Sequence, residues 1–173
     1  MKMKNVAYVK RKAQMKNLLK NLLVVGVMTC ANSLYAVEQD ANAIVPLSKY
    51  LEKNDAKDPI VTTYVYDRCV SLFLALAIGS KNEKGTEAEK FHTNAQNAYT
   101  DVVKAEALLL LKTAKDPDVA QKEHTEAVKR IQKIYSTRMD KVIDLGQDMM
   151  NDGVIGGDLN ICAEIVKRIR TKQ

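Results

Sequence analysis

Three groups of residues have the types and spacing that could do chemistry. In "YVYDRCV", Tyr64 to Val70, Cys69 follows Arg68, and a thiol beside a cation is one way to make a reactive thiolate. On a helix, however, adjacent residues point about 100° apart. Neither His92 nor His124 lies within several helical turns of Cys69 to serve as its base. The better fit is a bridge, because Cys69 and Cys162 are the two cysteines beyond residue 36, and an even pair in an oxidising compartment tends to be joined.

The second group is "EKFH", Glu89 to His92. An E-x-x-H places two ligands on one helical face, but carboxylate-bridged metal bundles need it twice, with two further Glu. His124 has Gln121 three residues before it, so the pair is incomplete. Glu89 is better explained by a capping box with Thr86, and His92 by an exposed helix face. No metal ligand, catalytic residue or cofactor-binding residue is expected on this basis. The third group, "GVIGGD" from Gly153 to Asp158, lacks the Lys-Ser/Thr ending of a phosphate loop and is predicted to be a turn between helices.

Tyr64, Tyr66 and Arg68 combine the side chains favoured where proteins bind one another, and they mark the possible partner surface. The plainer alternative is a helix end with packed rings and with Asp67 and Arg68 in solvent.

The chain carries 27 Lys and Arg against 21 Asp and Glu, which suggests a basic protein until the charges are placed. Residues 1–36 contain seven basic groups and no acid, so the remainder is close to neutral and no nucleic-acid partner is expected. That leader has a basic start, the apolar run "LLVVGVMTCA" and a small Ala36, the pattern of an export signal cleaved between Ala36 and Val37. "MKNLLKNLLVVGVMTCANSLYA" is a complete signal by itself, which makes Met15 a candidate true start. Two alternatives keep the protein at a membrane: an uncleaved leader, or lipid on Cys30 in "VMTC". Membrane contact is expected only through this leader.

These residues must be positioned by helices. Residues 37–57 form a polar lead with a short helix around "PLSKYLEKN", and residues 58–173 form the domain. Asp58-Pro59, the Thr86 box and Asp116-Pro117 each open a helix, running to about Ile78, Lys115 and Asn151, and Asp158 caps a fourth. The first is apolar almost all round from Val70 to Ile78, as a central helix should be. Val128, Ile131, Tyr135, Val142, Leu145 and Met149 form a stripe on the third, and Cys162, Ile165, Val166 and Ile169 one on the fourth. The expected fold is all-α: an antiparallel four-helix bundle with a short extra N-terminal helix, stapled by one disulfide. The expected function is binding a protein partner in the cell envelope, most simply the periplasm, as an inhibitor, a holdase chaperone or an accessory subunit. A rival from another class is a helical enzyme or a metal or haem carrier using His92 or His124.

Overall fold

The computed structural model describes residues 44–82 and 84–172. The expected export signal with its Ala36–Val37 junction, Met15 and Cys30 lie outside the described residues. Those described form an all-α bundle of five helices: α1 (Leu47–Leu51), α2 (Pro59–Ser80), α3 (Thr86–Thr113), α4 (Pro117–Asp144) and α5 (Ile155–Arg170), with a 3-10 turn at Met149–Asn151. The short loops between the long helices make successive ones antiparallel.

α2 starts where Asp58 accepts a hydrogen bond from the Ile60 N–H at 2.8 Å, with Pro59 as the first helical residue. It packs against α3, α4 and α5 and is the central helix. Val65, Cys69, Leu72, Phe73 and Leu76 are buried on one side, and Val70, Ala75 and Ala77 around the rest. By length and composition α2 could cross a membrane, yet 72% of its apolar window is buried inside the protein. Its apolar girth is therefore explained by neighbours on all sides.

α3 begins differently from the expected capping box. Gly85 takes the N-cap position with φ +120°, so Thr86 is already helical and no side chain caps the helix. Glu87 and Glu89 remain in the first turn, where the helix dipole favours them. Small Ala95 and Ala98 and the fully buried Val102 bring α3 close to α2.

At the start of α4, Asp116 accepts from the Asp118 and Val119 N–H groups at 3.1 Å. The helix stops at Asp144, not near Asn151. Gly146 at φ +66° turns the chain, its N–H bonds Ile143 O, and the Gln147 N–H bonds Val142 O, both at 3.0 Å. This is a Schellman ending, which the unobtrusive single glycine in "LGQD" supplies. As a result Leu145 leaves the core and is exposed, while Met149 packs on it from the 3-10 turn.

α5 starts at Ile155, before the expected cap. Asp152 accepts from the Val154 and Ile155 N–H groups at 2.9 Å, and Arg138 Nε reaches its two oxygens at 2.8 and 2.9 Å. Burial pushes the Asp152 carboxyl up, but Arg138 and the two N–H groups outweigh it and hold it below its usual range. Asp158 is thus not a cap but a fully buried residue in the first turn. The glycines taken for a turn are partly helical, and Gly156 has a packing role. A Cβ there would lie 2.2 Å from Met150 O, a backbone atom that cannot step aside cheaply. Gly156→Ala is expected to destabilise the protein by about 1–3 kcal/mol, read as a lowered midpoint of thermal unfolding.

The disulfide Cys69–Cys162 is present, joining α2 to α5 between two fully buried residues. α1 docks against α5 and buries Leu47 completely.

Candidate functional site

Two polar clusters lie within this apolar bundle, one on each of two adjacent α2 positions. Residues 67 and 68 point in different directions around the helix, so each addresses a different set of neighbours.

Arg68 is fully buried, as are Tyr135 of α4 and Asp158 of α5. The guanidinium donates from Nε to Tyr135 Oη at 2.9 Å, from Nη1 to Tyr64 Oη at 3.0 Å, and from Nη2 to Val45 O at 3.2 Å and to Asp158 Oδ2. Asp158 Oδ2 also accepts from the Tyr135 hydroxyl, and Oδ1 accepts from the Leu47 N–H at 2.6 Å. Four elements are tied at one point: the segment entering α1, α2, α4 and α5. Burial works against the charge on Arg68, but Tyr135, Asp158 and Tyr64 outweigh it and hold the guanidinium above its ordinary range. Burial, with Asp158, pushes the Tyr135 hydroxyl up against the opposing pull of Arg68. The Arg68, Tyr135 and Asp158 side chains are fully buried, while Tyr64 is half-buried and Val45 is exposed. Of the residues expected at a partner surface, Arg68 is corrected: it lies inside the bundle, while Tyr64 and Tyr66 are half-buried against the core. Sequence adjacency to two tyrosines suggested an exposed patch because Asp158, its true counter-charge, is 90 residues away.

The second cluster joins Asp67 of α2, Glu106 of α3 and His124 of α4, whose ligand-type atoms all lie within 4.8 Å of one another. Asp67 was expected in solvent but is 3% exposed, and Glu106 is 4% exposed. His124 Nδ1 lies 3.0 and 3.1 Å from the two Asp67 oxygens. Asp67, by hydrogen bond and charge, raises the His124 pKa against the opposing effect of burial. Burial, then the hydrogen bond and charge of Asp67, pushes Glu106 up to about 9. The buried carboxyl groups of the cluster therefore favour keeping a proton between them, beside His124. Tyr66, near Glu106, is raised by burial and by that carboxylate.

A group whose folded pKa lies above its unfolded value takes up a proton on folding, so its contribution is fully present below the unfolded value and is lost as pH rises through the folded one. For Glu106 that window runs from its ordinary 4.5 to about 9. Glu106→Gln keeps the shape and stays neutral. In chelator-treated buffer it is expected to fold and to lose less stability than the wild type between pH 5 and pH 8, by about 1 kcal/mol or more, measured by urea unfolding at each pH.

His92 is also less exposed than expected. Its Nδ1 lies 2.9 Å from Ala77 O and 3.2 Å from Ser80 Oγ, fastening α3 to the end of α2. The structure places it apart from His124, with no carboxylate at its ring nitrogen. Sequence spacing along one helix could not find the Asp67–Glu106–His124 set, because it draws one residue from each of three helices. The available signal was Glu106 itself, an acid one residue from "ALLLL" on a mostly apolar face.

An open groove of about 560 Å³ runs between α2, α3 and α5. Phe73, Leu76, Ala95, Ala98 and Val166 line it, as do Lys167 and Arg170. Arg170 Nε bonds Asp101 Oδ2 at 2.8 Å across α3 and α5.

The fold and these clusters define a disulfide-linked helical bundle with two polar clusters in its core. Comparisons with protein-family models, curated proteins and solved structures return no match.

Proposed function

We propose that the protein is exported to an oxidising compartment, most simply the periplasm, and acts there by binding a protein partner and not by catalysis. The observation that carries this reading is the buried Cys69–Cys162 bridge, since such bonds persist where thiols are not kept reduced. The leader pattern of residues 1–36 agrees with it. Binding is favoured over catalysis because the strongest polar constellation, around Arg68, is internally satisfied and sealed from any substrate. The open groove between α2, α3 and α5 offers an apolar floor lined also by Lys167 and Arg170, the kind of surface that takes an amphipathic segment.

The test is the non-reducing intact mass of the protein expressed with its own leader in an export-competent bacterium. A chain starting at Val37 and lighter by about two hydrogens is the expected result. A retained leader, lipid at Cys30 or free thiols would overturn the reading and move the protein to a membrane or to a reducing compartment.

A further inference from the structure

The Arg68 cluster is complete within the fold, whereas the Asp67 cluster has a donor atom that the fold leaves unused. Glu106 Oε1 is buried and has no hydrogen-bond partner. Leaving such an oxygen unsatisfied is unfavourable, and its carboxyl group belongs to a cluster that also holds a second carboxylate and an imidazole.

We infer that Asp67, Glu106 and His124 form a binding site for a divalent first-row transition-metal ion of the Mn²⁺-to-Zn²⁺ class. Three observations converge on it. The donor set is two carboxylate oxygens and one imidazole nitrogen, and an imidazole shifts preference from Mg²⁺ and Ca²⁺ toward the transition ions. A dication that displaces the cluster's proton offsets the two buried carboxylates. The geometry is close. An ion about 2.0–2.2 Å from each donor needs the donors about 3–4 Å apart. His124 Nδ1 is already 3.0 and 3.1 Å from the Asp67 oxygens, and all three donors lie within 4.8 Å of one another.

The three ligands come from three packed helices, so the site is held by the bundle and not by a loop. His124, at 15% side-chain exposure, is the most open of them and marks the way in. Three protein ligands leave at least one coordination position for water or for a group from a partner. The site thus adds to the proposed binding function a ligand of different chemistry, and it stands whether or not the groove binds protein.

The test is calorimetric titration of the untagged full chain, stripped with a chelator, with Zn²⁺ and separately with Mn²⁺. Glu106→Gln preserves shape and His124→Ala alters the most open position, and the circular dichroism and unfolding midpoint of each confirm that it is folded. His92→Ala serves as the control. The expected result is one saturable site for at least one ion, weakened by more than about tenfold in both Glu106→Gln and His124→Ala and unchanged in His92→Ala. No saturable binding below about 1 mM of either ion, or a smaller loss in either variant, overturns the site.

Discussion

Arg68→Met is expected to cost about 3–5 kcal/mol of folding stability, among the largest effects of any single substitution in this protein. The methionine fills much of the same space, so the loss comes from charge and not from a cavity. Without the guanidinium, Asp158 is left as a fully buried carboxylate with only the Leu47 N–H and the Tyr135 hydroxyl to stabilise it. Val45 O and Tyr64 Oη lose their donor as well, so the entry into α1 should loosen along with the core. A domain of this size has about 5–15 kcal/mol in total, so the variant should unfold at a much lower urea concentration. Arg68→Met/Asp158→Asn separates the cause. Asparagine keeps an oxygen for the Leu47 N–H while removing the stranded charge, so the double variant should recover a substantial part of the loss. Additive losses would falsify the assignment of the cost to the uncompensated carboxylate.

Breaking the Cys69–Cys162 bridge is the second large effect. The bond closes a loop with a sequence separation of 93 residues. In the chain-entropy account, losing that constraint relaxes the unfolded state and costs about 4–5 kcal/mol. Cys69→Ser and Cys162→Ser should therefore lower the unfolding midpoint by similar amounts, and the double variant should fall little below either. Dithiothreitol should bring the wild type down to the same level and leave the variants unmoved. If the two single losses simply add, two independent packing defects are at work and the bridge contributes little. Both sulfurs are fully buried, so each serine also places a hydroxyl in an apolar setting. Cys69→Ala and Cys162→Ala check that this does not account for the effect.

The two polar clusters divide the work of α2 between neighbouring positions. Arg68 ties the helix to α4, α5 and the approach to α1, and all its partners are used in holding the bundle. Asp67 faces α3 and α4, where Glu106 retains an unused oxygen. A substitution at 68 should therefore register first as lost stability, while one at 106 should register first as lost metal affinity.

The sequence by itself determined the helical class, the order of the four long helices and the bridge. These follow from local facts: the Asp58 and Asp116 side chains accept from backbone N–H groups two or three residues on, with Pro59 and Pro117 as first helical residues, and the apolar girth of Val70 to Ile78 forces α2 into the centre. Cys69 and Cys162 were legible as partners because they are the two cysteines beyond residue 36. Local signals also misled where two devices competed, as when Gly85 displaced the Thr86 capping box and Gly146 ended α4 ahead of its apolar stripe. What only the tertiary structure decided is the destination of the charged side chains. Asp67, Arg68 and Asp158 read one by one as solvated or capping residues, because burying any of them alone is unfavourable. They become tenable inside only when distant helices supply counter-charges and hydrogen bonds at the same point, and no spacing along a single helix records that meeting.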